Sequence, residues 1–127
     1  MNTHVKIIPH KDQRYPTVGD WWWDSKNDLQ IRVSQMDDAR YEQLVAIHEQ
    51  IEAELCDAAL VDEDAVTQFD KAYEANRQPG DDSEPGDDPR APYYRQHQIA
   101  TAIEKLLAVE LGVNWQEYEK ALNELKR

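Results

Sequence analysis

The sequence predicts one α+β domain, mainly helical, with a small N-terminal β-hairpin or three-stranded sheet packed on about four helices. Two observations carry that expectation. Residues 1–34 follow the two-residue rhythm of strands: in "LQIRVS", Leu29, Ile31 and Val33 alternate with Gln30, Arg32 and Ser34. Beyond Ser34 the apolar residues recur at three- and four-residue spacing, the helical rhythm. With 127 residues the chain buries roughly two-thirds of its unfolded surface, so folding alone needs no disulfide or metal.

In chain order, "VKIIP" is a short β-favouring run closed by Pro9. "TVGDWWWD" and "LQIRVS" follow, separated by Ser25, Lys26, Asn27 and Asp28, which predicts a hairpin with a four-residue loop. Of the three tryptophans, Trp21 and Trp23 share one face and Trp22 takes the other. They form either a core pair with Trp22 covering a helix, or the aromatic wall of a pocket or partner-binding patch.

A first helix is expected over residues 37–60, with acidic residues in its first turn, where the helix dipole favours them. Its apolar stripe is Tyr41, Leu44, Val45, Ile51, Leu55 and Ala59. A second helix, 62–76, starts on the N-cap Asp62 and carries Val66, Phe69 and Tyr73. Residues 77–91 read as a solvated acidic loop, because PGDD occurs twice and proline, glycine and aspartate at that density oppose regular structure. Their spacing does not match a calcium-binding EF-hand loop. Pro92 opens a third helix, 92–111, which Gly112 stops, and Asn114 with Glu117 caps a last helix, 114–126, built on Trp115, Tyr118, Leu122 and Leu125.

The formal net charge of −12 disfavours nucleic acid and anionic membrane as partners and leaves cations or a basic protein surface. No apolar run approaches the ~20 residues of a membrane span, and "MNTHVKIIPHKDQ" lacks the apolar segment of a signal peptide. The single cysteine, Cys56, cannot form an internal disulfide and reads as a small buried hydrophobe, so a cytoplasmic setting is expected. Four glycines spell neither a P-loop nor a dinucleotide fingerprint, and no serine lies in a nucleophile elbow.

The chemistry gathers on two helices. His48 and Glu52 fall inside the apolar stripe of the first, and His97 and Glu104 lie on the inward face of the third. A buried carboxylate without a partner is driven towards its neutral form, and a cation between the helices removes that penalty. Histidine nitrogen and carboxylate oxygen one turn apart can reach the same ion, which makes His48, Glu52, His97 and Glu104 candidate metal ligands. The donor mixture suits zinc, manganese or iron, and the lack of thiolates opposes a closed structural zinc site. A catalytic centre of this kind would use Glu49 or Glu104 as base, in a hydrolysis.

Other readings stay open. His48 with Glu104 and His97 with Glu52 make two satisfied buried pairs without any metal. An active site working without metal, or a non-enzymatic interaction or inhibitor protein whose acidic surface binds a basic protein, fits the same residues. A third helix beginning later than Tyr93 would leave His97 in its first turn, free to face solvent.

"HEQIE", His48 to Glu52, resembles the zinc-binding helix of the zincin metallopeptidases, H-E-x-x-H, and here too a strand precedes it. The resemblance implies that His48 is a zinc ligand and Glu49 the general base activating a metal-bound water. Glu52 stands where the family has its second histidine, and His97 would supply the downstream ligand. Glu49 and Glu52 also resemble the E-x-x-E of all-α nucleotide pyrophosphatases, which bind magnesium, with Asp70 or Glu104 in the second half of that motif. Over "RYPTVGDWW", "RYEQLVAIHEQIEAELC" and "EPGDDPRAPYYRQH" the chain is similar to uncharacterised small phage and prophage proteins.

Overall fold

Three runs of β-branched and aromatic residues form strands in the computed structural model, which describes residues 1–126: β1 Thr3–Ile8, β2 Gly19–Trp23 and β3 Leu29–Ser34. The sheet is mixed, in the order β1-β3-β2, with β1 parallel and β2 antiparallel to β3. The hairpin loop is one residue longer than the spacing predicts, because Asp24 belongs to the turn. Its Oδ1 accepts the N–H groups of Lys26 (2.9 Å) and Asp28 (3.0 Å), while Asn27 takes the left-handed conformation at φ 61°. Central β3 turns Leu29, Ile31 and Val33 fully inward.

Four helices follow: α1 Ala39–Ala58, α2 Glu63–Ala75, α3 Tyr94–Glu110 and α4 Trp115–Lys126. Each expected helix forms, its ends drawn in by one or two residues except at Lys126, where α4 ends as expected. Asp38 and Asp62 are the N-caps of α1 and α2, accepting from the N–H groups of Arg40 and Asp64, and Asn114 Oδ1 accepts the N–H of Glu117 at the start of α4. Gly112, at φ 69°, lets the chain turn out of α3 while the Val113 N–H reaches back to the carbonyl of Ala108 (2.9 Å).

One face of α1 lies on β2 and β3, and α3 runs antiparallel along α1. Fully buried Ala53 and Ala100 let those two helices approach closely. Arg40, at the start of α1, donates to the last carbonyls of α3, Leu111 and Gly112, both at 3.2 Å, and so fixes their register. The buried stripe of α1 differs from the expected one. It holds Leu44, Val45, Ala53 and Cys56, whereas Ile51 and Leu55 are half-buried and Ala59 is exposed. The sheet and α3 meet α1 from different directions, and the buried face is centred between them. Among the described residues, no helix is long and apolar enough to cross a membrane.

Leu60 ends α1 in the left-handed conformation, φ 58°, where the Val61 N–H closes on the carbonyl of Cys56. Its side chain is 91% exposed, so it contributes little packing to offset a conformation that costs an L-residue about 1–2 kcal/mol. Leu60→Gly should therefore raise stability by a few tenths to about 1 kcal/mol in urea unfolding, after the extra backbone entropy of glycine in the unfolded chain is subtracted. A loss of stability would mean that the exposed leucine makes an interaction in solution.

Candidate metal centre

His48 and Glu52 stand one turn apart on α1, and Glu104 and His97 two turns apart on α3. Because the helices are antiparallel, His48 meets Glu104 and Glu52 meets His97. His48 Nδ1 lies 2.7 Å from Glu104 Oε1, and His97 Nδ1 lies 2.9 Å from Glu52 Oε2. The two pairs are joined: His48 Nε2 is 3.1 Å from the same Glu52 oxygen and 3.2 Å from His97 Nδ1. All four side chains are buried.

The remaining carboxylate oxygens have donors from outside the quartet. Trp21 Nε1–H donates to Glu52 Oε1 (2.9 Å), and the Tyr118 hydroxyl donates to Glu104 Oε2 (2.6 Å). The sequence reading did not anticipate either contact, although inward-facing aromatics with polar tips are the residue types that supply such bonds. Trp21 thus belongs to the site wall, Trp23 packs on the core, and Trp22, on the opposite sheet face, has the guanidinium groups of Arg14 and Arg32 over its ring.

α3 starts at Tyr94, so His97 does sit in its first turn, yet it is buried. A 3₁₀ turn, Pro85–Asp87, lies over it. The loop 77–91 is therefore not solvated along its whole length. Its second PGDD packs on the site with Gly86 buried, while Arg77 ties the earlier half to Glu74 and to the Ser83 carbonyl. His97 Nε2 faces Glu84 Oε2 at 3.2 Å and Asp87 Oδ1 at 3.3 Å. The sequence reading had not placed these two residues in the site, since only the folded loop brings them to a residue ten or more positions away.

Burial would strip the proton from His48, but Glu104 and Glu52 outweigh it and hold the imidazole well above its ordinary value. Burial acts the same way on His97, and Asp87, Glu52 and Glu84 reverse it, lifting the ring to about 12. Burial pushes the Glu52 carboxyl up, and the two histidines pull it down to about 2. Glu49 has no such donor: burial and the charge of Glu52 drive its carboxyl well above the usual range. It lies against Gly19, where an added Cβ would come within 2.6–2.8 Å of Glu49 and Val45 atoms. Burial pushes the Cys56 thiol to about 12, in keeping with a small hydrophobe.

These groups line a cavity of about 90 Å³, room for several waters. Seven carboxylates border it; Arg14 pairs with Asp20 and Arg77 with Glu74, while Glu52, Glu84 and Glu104 lie beside His48, His97 and Lys126. Asp70 is on the wall too, but it does not join Glu49 and Glu52. It accepts from the hydroxyls of Tyr15 (3.0 Å) and Tyr93 (2.5 Å). His48, Glu52 and His97 each offer one ligand atom within 4.8 Å of the others, and this buried group could hold a metal ion. Glu104 lies outside that trio, on the far nitrogen of His48. No family model matches the chain, and no curated protein or solved structure matches it.

Two expected outcomes follow from this geometry. At Gly86 an added Cβ would come within 2.3–2.8 Å of the His97 ring, so Gly86→Ala must lift the turn or move the imidazole. A loss of about 1–3 kcal/mol is expected in urea unfolding, and an unchanged midpoint would mean that the turn does not rest on His97. Burial raises Asp70 to about 7 despite its tyrosine donors. The folded chain then keeps a proton that the unfolded chain releases, so this group removes stability as pH rises from about 4 to about 7. Asp70→Asn should flatten the fall in melting temperature over that window, and an unaltered slope would place its origin elsewhere.

Proposed function

We propose that this chain is a divalent-metal protein with a hydrolase-type centre, in which His48 Nε2, Glu52 Oε2 and His97 Nδ1 hold the ion. One observation carries the reading: those three atoms converge at 2.9, 3.1 and 3.2 Å from one another, on the wall of a buried cavity. Ligand atoms about 2.1 Å from a common ion sit roughly 3.0–3.4 Å apart at octahedral and tetrahedral angles. Without an ion, the same oxygen of Glu52 faces both rings. Nitrogen and oxygen donors without thiolate suit zinc, manganese or iron.

In this reading Glu104 orients the imidazole rather than ligating. It holds the Nδ1–H of His48, with Tyr118 on its second oxygen, which fixes the tautomer and leaves Nε2 free for the ion. Trp21 does the same for Glu52 by taking the oxygen that faces away. A bound divalent ion supplies a polarised substrate oxygen and an acidified water. Glu49, following His48 in the chain and lining the same cavity, is the candidate base that receives the proton of the attacking water. The half-buried position of Glu49 against Gly19 keeps its carboxyl at the cavity wall.

Chelator-treated protein should rise in melting temperature by several degrees when zinc or manganese reaches about a hundred times its dissociation constant, a stabilisation of about 2.7 kcal/mol. His48→Ala and Glu52→Gln should abolish the rise, and Glu104→Gln should weaken metal binding about 10–100-fold. If neither metal shifts the melt nor remains bound after dialysis, the quartet is a structural polar core in which His48–Glu104 and His97–Glu52 satisfy each other.

A further inference from the structure

The inner trio uses only one nitrogen of His97. The other, Nε2, is on a side chain 4% exposed, and no described residue makes an aligned hydrogen bond to it. A buried ring nitrogen without an aligned hydrogen bond is uncommon. Yet Nε2 is not in apolar surroundings: two carboxylate oxygens face it from the overlying turn, Glu84 Oε2 at 3.2 Å and Asp87 Oδ1 at 3.3 Å.

We propose that Glu84, Asp87 and His97 Nε2 form a second divalent-cation site at the mouth of the cavity, so that His97 lies between two ions with one nitrogen towards each. The proposal goes beyond the inner centre and stands without it. The three ligand atoms lie within 4.8 Å of one another, and the 3.2 and 3.3 Å separations fall in the roughly 3.0–3.4 Å range of atoms sharing one ion.

The local fold explains the pairing. In a 3₁₀ turn residues three apart eclipse one another. Glu84, the residue capping Pro85–Asp87, and Asp87 therefore present their carboxylates to the same side, with the Asp87 N–H bonded to the Glu84 carbonyl (3.1 Å). Gly86 lets the turn settle onto the imidazole. The first PGDD, residues 79–82, has Gln78 where the second has Glu84, and so lacks the carboxylate pair. Neighbours hold both carboxylates in place: Gln98 Nε2 donates to Asp87 Oδ1, the oxygen that faces His97 (2.9 Å), and Lys126 Nζ lies 3.7 Å from the other oxygen of Glu84.

The two sites differ in access. The inner ligands are buried, whereas the side chains of Glu84 and Asp87 are 38% and 53% exposed. The outer ion exchanges with solvent and binds more weakly. Its donors, two carboxylates and one imidazole, suit manganese or zinc. When an ion enters, Nε2 binds through its lone pair and any proton on that nitrogen leaves to solvent. With both sites filled, His97 is a bridging imidazolate.

The test is metal stoichiometry by equilibrium dialysis of the chelator-treated full chain with zinc or manganese alone, beside the electron paramagnetic resonance spectrum of the copper(II)-loaded protein. Two equivalents in the wild type, falling to one in E84Q/D87N and to one in E52Q, with a spin-coupled copper signal lost in E84Q/D87N, is the expected result. The single variants E84Q and D87N, each checked by melting without metal, serve if the double variant unfolds. One equivalent removed by E84Q/D87N but kept by E52Q still supports the outer site and overturns the inner centre instead. One equivalent removed by E52Q and untouched by E84Q/D87N overturns the outer site, as does a second equivalent that persists in E84Q/D87N. Binding of neither metal overturns both.

Discussion

The structure depends on one contact, the antiparallel apposition of α1 and α3 across four buried polar side chains. His48, Glu52, His97 and Glu104 lie where aliphatic residues would normally close a helix interface. Removing one member of a buried charged pair costs about 3–5 kcal/mol, because the partner is left uncompensated. A polar quartet joined across two helices also selects register. Sliding α3 by one turn would take Glu104 away from His48 and His97 away from Glu52, and Arg40 would lose the carbonyls of Leu111 and Gly112. An apolar seam would tolerate that shift far better.

The rest of the molecule completes this contact. The sheet brings up Trp21, whose indole N–H takes the outward oxygen of Glu52, and α4 brings up Tyr118, which does the same for Glu104. The turn 85–87 closes the open end over His97. Three separate segments thus converge on one quartet.

The placement of Glu104 shows how a metal reading and a structural reading share the same atoms. Its bond to His48 Nδ1 satisfies a buried pair without any ion, and it turns Nε2 of the same ring towards Glu52 and His97, where the proposed ion would sit. The quartet is therefore compatible with a folded metal-free protein, and it differs from an ordinary buried ion pair in joining its two pairs through one oxygen of Glu52.

Much of this was legible in the sequence. The strand rhythm of Leu29–Val33, the N-cap Asp62 and the stop at Gly112 are local signals, and local signals survive without knowledge of the fold. The inward direction of His48, Glu52, His97 and Glu104 was legible for the same reason, since helical spacing alone assigns a face. What spacing could not assign was which atom meets which. Whether β1 runs parallel to β3, whether Glu104 faces an ion or the back of His48, and whether Trp21 touches Glu52 depend on pairings between distant segments. The loop 77–91 marks the boundary most clearly. Its composition indicated irregular backbone, and that is what forms, but the burial of Gly86 and the position of Glu84 and Asp87 beside His97 arise only once α3 is docked. Sequence by itself determined the elements and the inward direction of the polar quartet, because these follow from a few neighbouring residues. Tertiary structure decided the chemistry of the site, because each of its contacts joins residues that only packing brings together.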